Sequence, residues 1–176
     1  MNAFGGGPIA PAATDLPGGS PDEWRGRCLN IYACNEKAVM EALEVARSAG
    51  SLAKIPHLAG QRFTILEKVC EAVSLTAKQH ARWAQVLAEW RTFDARRAFL
   101  AHGVMIPATD EQGKWIVLFD LTVYRANVGV DERWAVRKDE ATAFFDRLKR
   151  ADVDVRQQLG HLRKLLSAAS PTATAT

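Results

Sequence analysis

Arg97 and His102 are the side chains whose types and placement point most directly to chemistry. They lie five residues apart in Arg97-Ala-Phe-Leu-Ala-His102-Gly103, where a strongly periodic stretch ends. A histidine changes charge near neutral pH. His102 can therefore act as general base on an RNA 2′-hydroxyl, or as general acid on the leaving oxygen. An arginine beside it can stabilise the charge that develops on phosphoryl oxygens. Neither a metal nor any other cofactor enters this scheme. The same pair also has a structural reading. Arg97 would be salt-bridged, and His102 would sit over the last helical carbonyls, where an imidazolium suits the helix dipole. Gly103 would then supply a left-handed turn.

The helix that must position this pair begins at Thr76. Thr76-Ala-Lys-Gln79 is a capping-box sequence, in which the hydroxyl and the glutamine each satisfy an orphan amide. The helix is expected to run to about Ala101. At about 100° per residue, Trp83, Val86, Leu87, Trp90, Phe93 and Ala101 share one face, and Arg97 falls in its middle. Arg96 lies about 100° away and borders the solvent side. A buried arginine needs a partner, and Asp94, three residues earlier, is the nearest one. Asp94 and Arg96 are thus the supporting residues of the candidate site. Spacing alone carries little. The chain has fifteen arginines and four histidines, and Arg156 with His161 repeats the interval on a face expected to be solvated.

Three further helices are expected. The first runs from about Asn35, as N-cap, to Ser48, and Gly50 ends it. The second runs from about Pro56 to Ser74, with Phe63, Leu66, Val69, Cys70 and Val73 as its stripe. The last runs from about Glu140 to Leu166, capped by Asp139, with Ala141, Phe144, Leu148, Ala151, Val155, Leu159, Leu162 and Leu166 inward. Between the third and fourth helices, Gly103 and Pro107 close the helix and 109–114 form a polar turn. Trp115–Tyr124 and Arg133–Val136 then read as a β-hairpin with 125–132 as a long connection. Trp115 and Trp134 are expected to pair across it. The fold class is mainly α, a four-helix bundle with a β-hairpin inserted between the third and fourth helices. The domain is expected over 23–167, with disordered tails at 1–22 and 168–176.

Composition narrows the function classes. Hydrophobic residues make up 48% and charged residues 24% of the 176, so a core can form. A net charge of +3 does not mark a dedicated nucleic-acid binder, although Arg133, Arg137 and Lys138 form a local basic run. Cys28, Cys34 and Cys70 are too few and too scattered for a disulfide framework or a zinc site. His57 and His80 have no ligand at metal-binding spacing. No signal sequence is expected, no apolar run is long enough for a membrane span, and a cytoplasmic location is the expectation. Trp83, Trp90 and Phe93 on one long helix offer more apolar surface than a small bundle covers, so a homodimer is expected.

The motif Arg97-Ala-Phe-Leu-Ala-His102-Gly103 ends a long helix and is followed by strands and a final amphipathic helix. This arrangement resembles the HEPN superfamily over Thr76 to about Leu166. The resemblance implies a small, commonly dimeric helical bundle. In the ribonuclease members of toxin or defence type, an arginine and a histidine cleave RNA without metal at a composite site across the dimer. The matching positions are Arg97 and His102, and a cognate antitoxin becomes an implied partner. Ala98 departs from the polar residue, often asparagine, that usually follows the family's arginine. Reading the motif from Arg96 restores a polar neighbour but moves the arginine off the inner face. The alternative is a non-catalytic dimeric interaction or regulatory module.

Overall fold

The computed structural model describes residues 19–169, with secondary structure in the order α1 (Pro21–Ser48), α2 (Ala59–Ala72), α3 (Ala77–His102), β1 (Val104–Thr109), β2 (Trp115–Arg125), β3 (Val128–Arg137) and α4 (Lys138–Ala169). The chain is mainly helical, and a small antiparallel sheet of order β1-β2-β3 stands between the third and fourth helices. The expected tails over 1–18 and 170–176 fall outside the described residues.

The first helix starts fourteen residues earlier than the sequence reading places it. Ser20 caps it by accepting from the Glu23 amide, Pro21 opens it, and Asp22 and Glu23 lie in its first turn. Asn35 is not a cap. It lies inside the helix, fully buried, within the stripe Trp24, Cys28, Tyr32, Asn35, Val39, Ala42, Leu43 and Ala46. One polar residue in an otherwise regular stripe explains why the boundary was read there. α1 thus includes Pro21 and Asp22, and α4 includes residues 168–169, positions that the sequence reading places in the tails. The second helix starts at Ala59, not Pro56. Leu58 is extended, and Arg62 donates back to the carbonyls of Pro56 and, in a very short contact, His57. The capping box at Thr76 forms as expected. In α4, Asp139 lies within the first turn, and Glu140 accepts the Arg137 amide at the strand-to-helix junction.

The insert has three strands where a hairpin was expected. β1, containing Pro107, pairs with β2 from Val104↔Asp120 to Thr109↔Trp115. Pro107 read as a helix stop, yet as the residue of an edge strand it needs no ladder donor on its outer side. The polar turn is present, with Asp110 accepting from the amides of Gln112 and Lys114. The expected long connection is only Ala126-Asn127, both at positive φ (49° and 66°). This is the two-residue geometry that matches strand twist. Trp134 faces Phe119 across the sheet, not Trp115, and the two rings stack at 5.4 Å.

The core is one continuous cluster. α1 packs chiefly on α4, and α3 on α4 and the sheet. Trp24 ties the sheet to the helices. Its ring lies 5.9–6.2 Å from Trp115, Phe119, Trp134 and Phe144, and its indole donates to the Ala141 carbonyl at 2.9 Å. The cysteines report on this packing. Cys28 and Cys70 are buried, and burial pushes each thiol up to about 12, while Cys34 is exposed. Since the thiolate is the reactive form, one thiol per chain is expected to react with a disulfide reagent at pH 8 in the native protein, and three after denaturation. Three rapid thiols in the native state would mean that the helical core opens.

Candidate functional site

Phe93, Phe99 and Leu100 fix the end of α3 against the core and sheet, all three buried. Arg97, on the Trp90 line of the helix, points instead past the first turn of α2. It reaches a cavity of about 250 Å³ lined by Glu36 of α1, Ala59, Gly60 and Phe63 of α2, and Trp90, Asp94, Arg97, Ala98 and His102 of α3. Arg97 and His102 therefore face the same space.

Arg97 is not buried in the apolar stripe, since its side chain is 40% exposed. Its ion partner is Glu36 on α1, in a very short contact, rather than Asp94. Asp94 lines the same cavity, and its carboxyl is raised above the usual range. Partial burial is the main cause, opposed by Arg97 and then Arg91 and reinforced by Glu36. Beneath them, Tyr32 is buried and donates its hydroxyl to the Phe93 carbonyl at 2.8 Å, holding α1 to α3 at this level.

His102 is exposed, and among the described residues its side chain makes no hydrogen bond or ion pair. The capping role expected in the structural reading belongs to Arg25. That residue donates from Nε to the Leu100 carbonyl at 2.7 Å and from a terminal nitrogen to the Gly103 carbonyl at 3.3 Å. Gly103 does not turn left-handed, as its φ is −67°. Glycine is needed there for another reason: a Cβ would lie 2.6 Å from the Phe99 carbonyl oxygen.

Arg96 is not part of the cavity. Its guanidinium lies over the Trp134 ring at 4.9 Å, and so fastens α3 to β3. His161 is exposed on α4, away from this cavity. The sequence reading missed Glu36 and Arg25. Both act across 61 or more residues of chain, and no local pattern marks such partners.

Ala59 and Gly60 place the first turn of α2 at the cavity wall. That turn has no side-chain cap and no acidic residue. Among the described residues, no three His, Cys, Asp or Glu side chains gather as a metal-binding group, and no helix is long and apolar enough to cross a membrane. Compared with protein-family models, curated proteins and solved structures, the chain finds no match.

Proposed function

We propose that this cavity is the centre of a HEPN-like, metal-independent ribonuclease of toxin or defence type. The observation that carries the reading is the shared cavity of Arg97 and His102, with the imidazole exposed and uncommitted. His102 removes the 2′-hydroxyl proton or protonates the leaving 5′-oxygen. The 2′-oxygen attacks phosphorus, the P–O5′ bond breaks, and a 2′,3′-cyclic phosphate and a 5′-hydroxyl result. Arg97 offsets charge on the non-bridging oxygens, and the uncapped start of α2 adds a partial positive charge to the wall. The other acid–base group of the reaction comes from a second copy, which is why a homodimer belongs to this reading. A cognate antitoxin would act by covering the cavity.

The test is RNA cleavage in excess chelator by the wild type, His102→Ala and Arg97→Ala. The expected result is cyclic-phosphate ends from the wild type and losses of about 10²–10⁴-fold in each variant. Cleavage unchanged by both substitutions, or absent throughout, removes the enzyme reading.

One observation favours a second reading, a non-catalytic dimeric interaction or regulatory module. The strand register puts Val104, Ile106 and Ala108 of β1 on one sheet face with Ile116 and Leu118 of β2, opposite the buried Val117 and Phe119. The three β1 residues are exposed. A face of this kind suits a self-association surface. Sedimentation of the wild type against Ile106→Lys separates the readings: a dimer lost in the variant, with no cleavage in either, supports the module.

A further inference from the structure

The ionised side chains of the cavity have the wrong net sign for a simple anion site, against the partial positive charge at the start of α2. Glu36 and Asp94 contribute two carboxylates against the one guanidinium of Arg97. α2 contributes Ala59, Gly60 and Phe63 to the wall, none of which titrates. A phosphodiester entering here meets an arginine already engaged and two like charges. Glu36, with its side chain 25% exposed, sits at the contact between α1 and α3, and its partner has no other salt bridge among the described residues.

We propose that Glu36 is a latch on Arg97: the ion pair closes the site, and a phosphodiester engages the guanidinium only by displacing the Glu36 carboxylate. The proposal rests on the reading that Arg97 and His102 meet RNA phosphate. The latch is distinct from a positioning contact in the sign of its effect. If Glu36 merely held Arg97 in place, removing its charge would weaken binding. A latch makes the same change strengthen it. Asp94 works in the same direction. With its carboxyl raised, it gains a proton sooner than an ordinary carboxylate as pH falls, which removes one repelling charge. Arg97, Arg91 and His102 of α3 and Glu36 and Tyr32 of α1 are the charged or titratable groups around it.

The experiment uses the full chain and a 2′-O-methyl RNA hexamer, which lacks the attacking hydroxyl and cannot be cleaved. Affinity is measured at pH 7.5 and low salt for the wild type, Glu36→Gln, Glu36→Asp and Arg97→Ala with and without Glu36→Gln. Glu36→Gln is expected to tighten binding about tenfold, the scale of one unit-charge interaction in a partly buried cleft. Glu36→Asp keeps the charge but shortens the reach, so it is expected to tighten binding by a smaller factor; a field effect alone would leave it at the wild-type value. The gain is expected to vanish when Arg97 is alanine. Equal or weaker binding by Glu36→Gln, or a gain that survives without Arg97, overturns the latch. If the wild type binds the hexamer but Glu36→Gln gives no gain, only the latch falls. If no variant binds it, the RNA reading falls with it.

Discussion

Trp90→Ala is expected to remove about 3–5 kcal/mol of stability and lower the melting temperature by about 6–20 °C for a chain of this size. Trp90 is 1% exposed. It stacks on Phe63 at 6.1 Å and meets Tyr32 edge-on at 5.6 Å, so it is the point where α1, α2 and α3 converge. Alanine would leave a cavity directly below the candidate site. Trp90→Phe makes the sharper comparison. The indole Nε1 is buried with no hydrogen-bond partner, and an unsatisfied donor costs about 1–3 kcal/mol. Phenylalanine loses ring area but removes that donor, so it is expected to cost no more than about 1.5 kcal/mol. Urea titrations of both variants check the pair. Equal losses for alanine and phenylalanine would show that the ring contacts are not what hold this junction.

How much of this arrangement the sequence reveals depends on the range of each interaction. The third helix was legible because Thr76 and Gln79 are three residues apart and the stripe from Trp83 to Phe93 is regular. The placement of Arg97 on the Trp90 line was legible for the same reason, and it leads to the cavity. Its environment was not, because α2 ends its cover at Ala59 and leaves the arginine open, and Glu36 arrives from α1. Asn35 misled the reading because a buried polar residue looks like a cap until its partner, 117 residues away, is known. The start of α1 is marked locally by Ser20-Pro21-Asp22-Glu23, a cap, a first-turn proline and two first-turn acids. β1 was hidden because Pro107 breaks a helix as readily as it edges a sheet. The two-residue turn at Ala126-Asn127 lacked the glycine that usually announces one.

The Asn35 pair leads to the second large effect. Asp152 is 3% exposed. It accepts from Asn35 Nδ2 at 3.0 Å and pairs with Arg156 at 2.6 Å. Asp152→Ala would leave the Asn35 amide buried with neither end satisfied, since its Oδ1 already lacks a partner. A loss of about 1–3 kcal/mol is expected from the unsatisfied amide, since the Arg156 side chain is 48% exposed and its charge stays solvated. Asn35→Leu alone leaves the carboxylate with Arg156 only, and about 1–3 kcal/mol is expected. The double variant Asn35→Leu, Asp152→Leu removes both polar groups together. It is expected to be more stable than the sum of the single changes by about 1–3 kcal/mol, as read from urea midpoints. Additive losses would show that the two groups do not act as a pair. The reason to keep so delicate a pair lies in the stripe itself. Trp24 pins the start of α1 to α4 through the Ala141 carbonyl, but Cys28, Val39 and Leu43 offer no comparable polar match farther along the contact. The buried match of Asn35 with Asp152 is a second pin on the register, one residue before Glu36. That register also decides where the next residue, Glu36, falls. The double variant, though folded, is therefore expected to show more than one environment for the His102 ring in NMR spectra, because the residue that meets Arg97 is no longer fixed in place.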